Sequence, residues 1–166
     1  MIVCSMLAVL SGAFTFVCFI CLKSWSYQKQ RLDLRESAIW AFEDLSRDLR
    51  QARLITLAQS SRVTFVVSTY EAIDYNLVLN AGIWQLIRTY TLSTTPASIS
   101  TAAVSKNVST FTLQFYDSNG VLIPAPVPAA QLVNIRLVMI TLSNRSTLWT
   151  NTETVTFRTQ IRPRNL

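Results

Sequence analysis

The chain has 166 residues, no histidine, and a formal charge of +6 from 15 basic and 9 acidic side chains. That length allows one modest core, of about 110 residues after the helical part. Without histidine, Ser-His-Asp, Cys-His and His-ligated metal chemistry are excluded, and no other arrangement of residues points to an enzyme or a cofactor.

Residues Met1 to Leu22 carry no charge. As a helix rising about 1.5 Å per residue, they span roughly 33 Å, enough for the hydrocarbon core of a bilayer. All three cysteines, Cys4, Cys18 and Cys21, fall in this stretch. The head therefore has no thiol for a disulfide framework, and the Cys18-Cys21 spacing lies in surroundings too apolar for redox or zinc use. Three orientations stay open. Met1 as initiator would hold the head in the cytoplasm by the positive-inside tendency, since Lys23, Lys29, Arg31 and Arg35 follow the segment. A removed basic leader would place the head outside, and a secretory signal peptide would need a basic region before the apolar run. Leu10-Ser11-Gly12 lacks the cysteine of a lipoprotein box, because Ala13 stands in its place.

Beyond Trp25, apolar residues recur at Leu34, Ala38, Ala41, Phe42, Leu45, Leu49, Ala52 and Ile55, the spacing of one helical stripe. Arg35, Glu36, Glu43, Arg47, Asp48 and Arg50 are assigned to the opposite, solvated face, with Glu43 and Arg47 as an i, i+4 pair. The division expected is a hydrophobic membrane helix over 1–24, an amphipathic continuation over 25–58 and an antiparallel head over 59–166.

From Ser60 the period changes to two. Strands are predicted at Val63–Val67, Tyr75–Leu79, Ile83–Leu92, Val108–Tyr116, Ile135–Leu142 and Val155–Ile161. Asn80-Ala81-Gly82 and Asp117-Ser118-Asn119-Gly120 read as turns, and Ser93–Ser105 reads as a surface loop. Pro124, Pro126 and Pro128 keep the next connection extended. The fold class is α+β, a long N-terminal helix packed on one antiparallel sheet. Gly12, Gly82 and Gly120 stand too far apart for a phosphate loop.

Four stretches, taken in order with the uncharged first helix, carry a resemblance. They are Leu45-Ser46-Arg47-Asp48-Leu49-Arg50-Gln51-Ala52, Val108 to Gly120, Ile135 to Leu142 and Arg162-Pro163-Arg164-Asn165-Leu166. Together they resemble type IV pilin-like subunits, in particular the J-type minor pseudopilins of type II secretion and the PilW-type minor pilins. The resemblance implies the type IV pilin fold, removal of a leader by a prepilin peptidase, methylation of Met1 and an inner-membrane stage. It also implies later assembly, with copies of itself or other pilins, into an extracellular or periplasmic filament. In that family a glutamate at the fifth position pairs with a neighbour's N-terminal amine, whereas this chain has Ser5, as some tip subunits also lack the acid. The proline common near position 22 is absent too. A mostly continuous helix is expected, with local melting near Gly12.

The expected working residues are those that let apolar helices approach: Met1, Ser5, Ala8, Ser11, Gly12, Ala13 and Phe14. The alternative is a monomeric, membrane-anchored module binding polysaccharide or nucleic acid through Trp84, Tyr90, Tyr116, Trp149, Arg88, Arg136 and Arg158. No small-molecule substrate is expected. Asn107 and Asn144 open glycosylation sequons, and Phe14, Phe16, Phe19, Trp25 and Tyr27 form an aromatic series along the helix.

Overall fold

A computed structural model describes residues 2–94, 96–148 and 151–164, without the side chains of 2–5, 7–9, 148 and 151. Helix α1 runs unbroken over Ile2–Gln51. Gly12 lies inside it with no melting, so the expected local break is absent; a single Gly costs about 1 kcal/mol, too little to interrupt a long cooperative helix. The remaining chain forms nine strands among the described residues. They are β1 (Leu54–Ala58), β2 (Arg62–Ser68), β3 (Glu71–Asn80), β4 (Ile83–Leu92), β5 (Ser98–Lys106), β6 (Val108–Tyr116), β7 (Leu122–Ile123), β8 (Leu137–Leu148) and β9 (Asn151–Ile161).

The helix stops at Gln51, not at residue 58. The Arg53 amide donates to Val66 O at 2.8 Å, and Leu54 and Ile55 pair with Val66 and Phe65 of β2. Ile55 and Ala58 are both buried although they are three residues apart, which looks helical in the sequence. A bulge explains it, because the register slips between Ile55 and Leu57 and the extra Thr56 lets both residues face inward.

Two antiparallel sheets replace the single one expected. The first is a meander in the order β1-β2-β3-β4-β5, and the second has the order β7-β6-β8-β9. Strand β5 occupies most of the stretch read as a loop. Its Ser, Thr and Ala side chains are nearly all exposed and show no alternation, so only backbone pairing to β4, from Leu92 with Ser98 to Gln85 with Lys106, defines it. The β8–β9 hairpin extends beyond the predicted strands, with Ser146 opposite Glu153. The proline-rich connection leads into a 3-10 helix at Ala129–Asn134.

The α+β class holds: the second half of α1 packs across both sheets. Leu34, Ala38, Ala41, Leu45, Leu49 and Ala52 are buried as the stripe required. Ala41, Leu45, Leu49 and Ala52 share one core with Phe65 and Tyr75 of the first sheet and Phe111, Leu113 and Ile140 of the second. The Phe65 and Tyr75 rings stack at 6.3 Å, and Phe42 leans on Phe157 at 5.9 Å. A buried leucine such as Leu45 contributes about 1.5–3 kcal/mol, so this stripe fixes the helix to the head.

Candidate functional site

The first half of α1 has no such partner. Phe14 is 71% exposed and Trp25 65%, and Phe16, Val17, Phe19, Ile20 and Leu22 are exposed with them. Among the described residues this is the one helix long and apolar enough to cross a membrane. Contiguous apolar surface on this scale is rare in monomeric soluble proteins and marks a lipid or protein contact. Its few hydroxyls suit such surroundings. Thr15 Oγ1 donates to Ser11 O at 2.8 Å and Ser26 Oγ to Leu22 O at 2.9 Å, each satisfied within its own helix.

Of the predicted packing residues, Met1 lies outside the described residues, as do the side chains of Ser5 and Ala8. Positions 5, 8 and 12 recur at i, i+3 and i+7 on one stripe of the helix. Ser11, Gly12, Ala13 and Phe14 are all exposed, and a side chain at Gly12 would meet open space. Ala13 and Phe14 turn away from the Gly12 stripe by about 100° per residue, so the set surrounds the helix and does not line one face.

Where the helix reaches the head, the β8–β9 hairpin fastens it. Tyr27 Oη donates to Glu153, and Gln30 Nε2 donates to Ser146 Oγ. The hydrogen bond to the Glu153 carboxylate, with some burial, raises the Tyr27 hydroxyl above its ordinary pKa. The Lys29 ammonium lies 6.0 Å from the Trp25 ring centre. Cys18 and Cys21 are free thiols on the apolar half.

Asp48 overturns its assignment to the solvated face. It is buried, accepting Arg88 Nε at 2.7 Å and Tyr75 Oη at 2.9 Å. Spacing carried the signal, since Ala41, Leu45, Asp48 and Ala52 form one i, i+4, i+7, i+11 series. Burial, then the charge and hydrogen bond of Asp48, push the Tyr75 hydroxyl well above its usual range. Burial opposes the Arg88 charge, but the Asp48 hydrogen bond and charge outweigh it and hold the guanidinium above its ordinary value. Arg47 turns to Asp44 at 2.8 Å, in place of the expected Glu43 pair.

The aromatic and cationic residues of the binding alternative do not converge. Arg88 is committed to Asp48, and Tyr90 donates to Glu71 at 2.8 Å. Tyr116 donates to Gln114 in the second sheet, where Arg136 caps the Val133 and Ile135 carbonyls. Arg158 rests on Met139 Sδ, Trp84 stands at the β3–β4 tip, and Trp149 lies outside the described residues. The aromatic helix series is split as well: Phe14, Phe16, Phe19 and Trp25 are exposed, while Tyr27 is held by the hairpin.

The two sequons also part. Asn144 is fully buried, with Nδ2 donating to Ser105 Oγ at 2.6 Å and to Lys106 O, so the folded chain does not present it for glycosylation. Asn107 is exposed in the left-handed region at φ 58°. Among the described residues no His, Cys, Asp or Glu group could hold a metal ion. No protein-family profile matches the chain, and no curated protein matches it.

Proposed function

We propose that this chain is a structural subunit of a type IV pilin-like filament, built for a pilus or a type II secretion apparatus. One observation carries the reading: a 50-residue helix is bound to its head over one half and bare and apolar over the other. A segment of that kind suits lipid first and a bundle of neighbouring helices afterwards, because both surroundings reward the same uncharged surface. The head supplies the second element of such a subunit, antiparallel sheet packed on the helix. Processing by a prepilin peptidase, an inner-membrane stage and partners of the same kind belong to this proposal. With Ser5 in place of the acid, neighbouring helices find their register by shape, aided by a small-residue stripe at positions 5, 8 and 12.

The test is direct. Fibres sheared from cells that produce the chain, identified by mass spectrometry, should contain it with a trimmed or methylated N-terminus. Its confinement to the membrane fraction as a monomer, with no cross-link to any second subunit, would refute the reading.

A further inference from the structure

Strand register fixes which end of the head faces the apolar half of α1. Lys106 pairs with Gln85 and Val108 with Asn144, so these residues share one level. Past that level β8 continues to Ser146, which meets Gln30, and its partner Glu153 meets Tyr27. In the same direction β3 runs out to Asn80 and β4 starts at Ile83. The β3–β4 tip therefore projects toward the apolar half-helix, beside the β8–β9 hairpin. Gly82, Trp84, Asn107, Arg145 and Thr147 line one shallow groove between them.

The composition of that tip is unusual for a turn in water. Leu79-Asn80-Ala81-Gly82-Ile83-Trp84 has no charge, and Leu79, Ile83 and Trp84 are 53%, 42% and 46% exposed. Leu79 pairs directly with Trp84 on one face, and Ile83 pairs with Asn80 on the other, so each face carries an exposed apolar side chain. Ala81 and Gly82 take positive φ of 49° and 78°, which turns the hairpin tightly and brings these side chains to its extremity. Cations lie toward this end of the molecule: Lys106 and Arg145 are exposed on the head, and Lys29 and Arg31 on the helix. The acids at this end are Asp33 and Glu153, the second already accepting Tyr27.

Depth agrees with this composition. Tyr27 stands five residues past Leu22, about 7.5 Å along the axis. The headgroup layer outside the hydrocarbon core is about 5–8 Å thick in each leaflet. The hairpin beside the tip meets Gln30 as well as Tyr27, about 12 Å past Leu22, so the tip stands at the outer edge of the headgroups, where tryptophan and cations are both favoured.

We propose that the β3–β4 tip is a second, interfacial membrane contact. Leu79, Ile83 and Trp84 enter the headgroup region of an anionic bilayer, and Lys106 and Arg145 lie against lipid phosphates. The head then lies on the membrane before assembly and does not swing freely on its helix. This rests on the membrane stage of the proposed subunit, and the test separates the two.

The full-length chain, with Trp84 as its sole tryptophan after Trp25→Phe, Trp40→Phe and Trp149→Phe, is reconstituted into phosphatidylcholine vesicles with and without phosphatidylglycerol. Brominated lipid should cut Trp84 emission about two-fold in the anionic vesicles, and less in neutral ones. Adding Ile83→Asp, at an exposed position, should abolish the quenching while the head keeps its circular dichroism. Failure of the chain to float with vesicles would overturn both the membrane stage and this contact. Flotation with unquenched Trp84 would overturn the contact alone, and a blue shift that grows with protein concentration, indifferent to bromine, would assign the tip to a second copy. Equal quenching in both vesicle types would overturn the role of Lys106 and Arg145.

Discussion

Arg88 Nε, in the middle of β4, stands 2.7 Å from Asp48 Oδ2 on the last turn of α1. Forty residues apart, the two close an ion pair between helix and sheet, with the Tyr75 hydroxyl as third member. Removing one partner leaves the other charge under-solvated in the interface. Asp48→Ala should lower unfolding free energy by about 3 kcal/mol, less than for a fully enclosed pair because Arg88 keeps some solvent. Chemical denaturation of the full chain in detergent checks it. Tyr75→Phe should cost about 1 kcal/mol, the loss of one hydrogen bond.

Alkaline pH should act through Tyr75. Its folded pKa is raised above the ordinary 10.0, so the native state keeps a proton that the unfolded chain releases. The stabilisation is whole below pH 10.0 and is lost as pH rises beyond it. The melting temperature should fall through that range, and the ultraviolet signature of tyrosinate from Tyr75 should appear only with unfolding. Tyr75→Phe should flatten this decline.

The two halves of α1 should answer differently to truncation. Leu45→Ala opens a cavity in the core and should destabilise the head by about 2–5 kcal/mol. Phe14→Ala touches nothing in the head and should leave its unfolding within about 0.5 kcal/mol of the parent. The same change should weaken association of the chains, read by cross-linking in membranes.

Asn107 and Asn144 should separate in a glycosylating host. Added mass should map to Asn107 alone, and Asn107→Gln should remove it. Asn107→Val should cost about 1–2 kcal/mol, because a branched residue resists the left-handed backbone that asparagine accepts.

The helix stripe was legible in the sequence because Leu34, Ala38, Ala41, Leu45 and Leu49 all answer to one period. Strands β4 and β6 were legible from their own periods, with Ile83–Leu92 and Val108–Tyr116 recovered at both ends. Strand β5 was not, since an edge of Ser, Thr and Ala encodes its pairing in the neighbour and not in its own side chains. The end of α1 was hidden by the Thr56 bulge, which imitates helical spacing at Ile55 and Ala58. Asp48 looked solvated because its chemistry outweighed its position; the partners that make burial affordable, Tyr75 and Arg88, are distant in the chain. The bare half-helix needed no partner to be recognised, as lack of charge alone defines it.

The buried stripe from Leu34 to Leu49 also determines how the molecule bears force. Its length along the axis is about 22 Å. Tension on the apolar end travels down the helix and enters the head parallel to its contact with both sheets. The contacts of Leu34, Ala38, Ala41, Leu45 and Leu49 are then sheared together, and no single one is peeled open first. The Tyr27 and Gln30 links to β8–β9 resist sideways bending at the point where the bare rod leaves the head. The helix is thus a tie-bar: it transmits a pull from one end of the molecule to the other without unzipping the domain it carries.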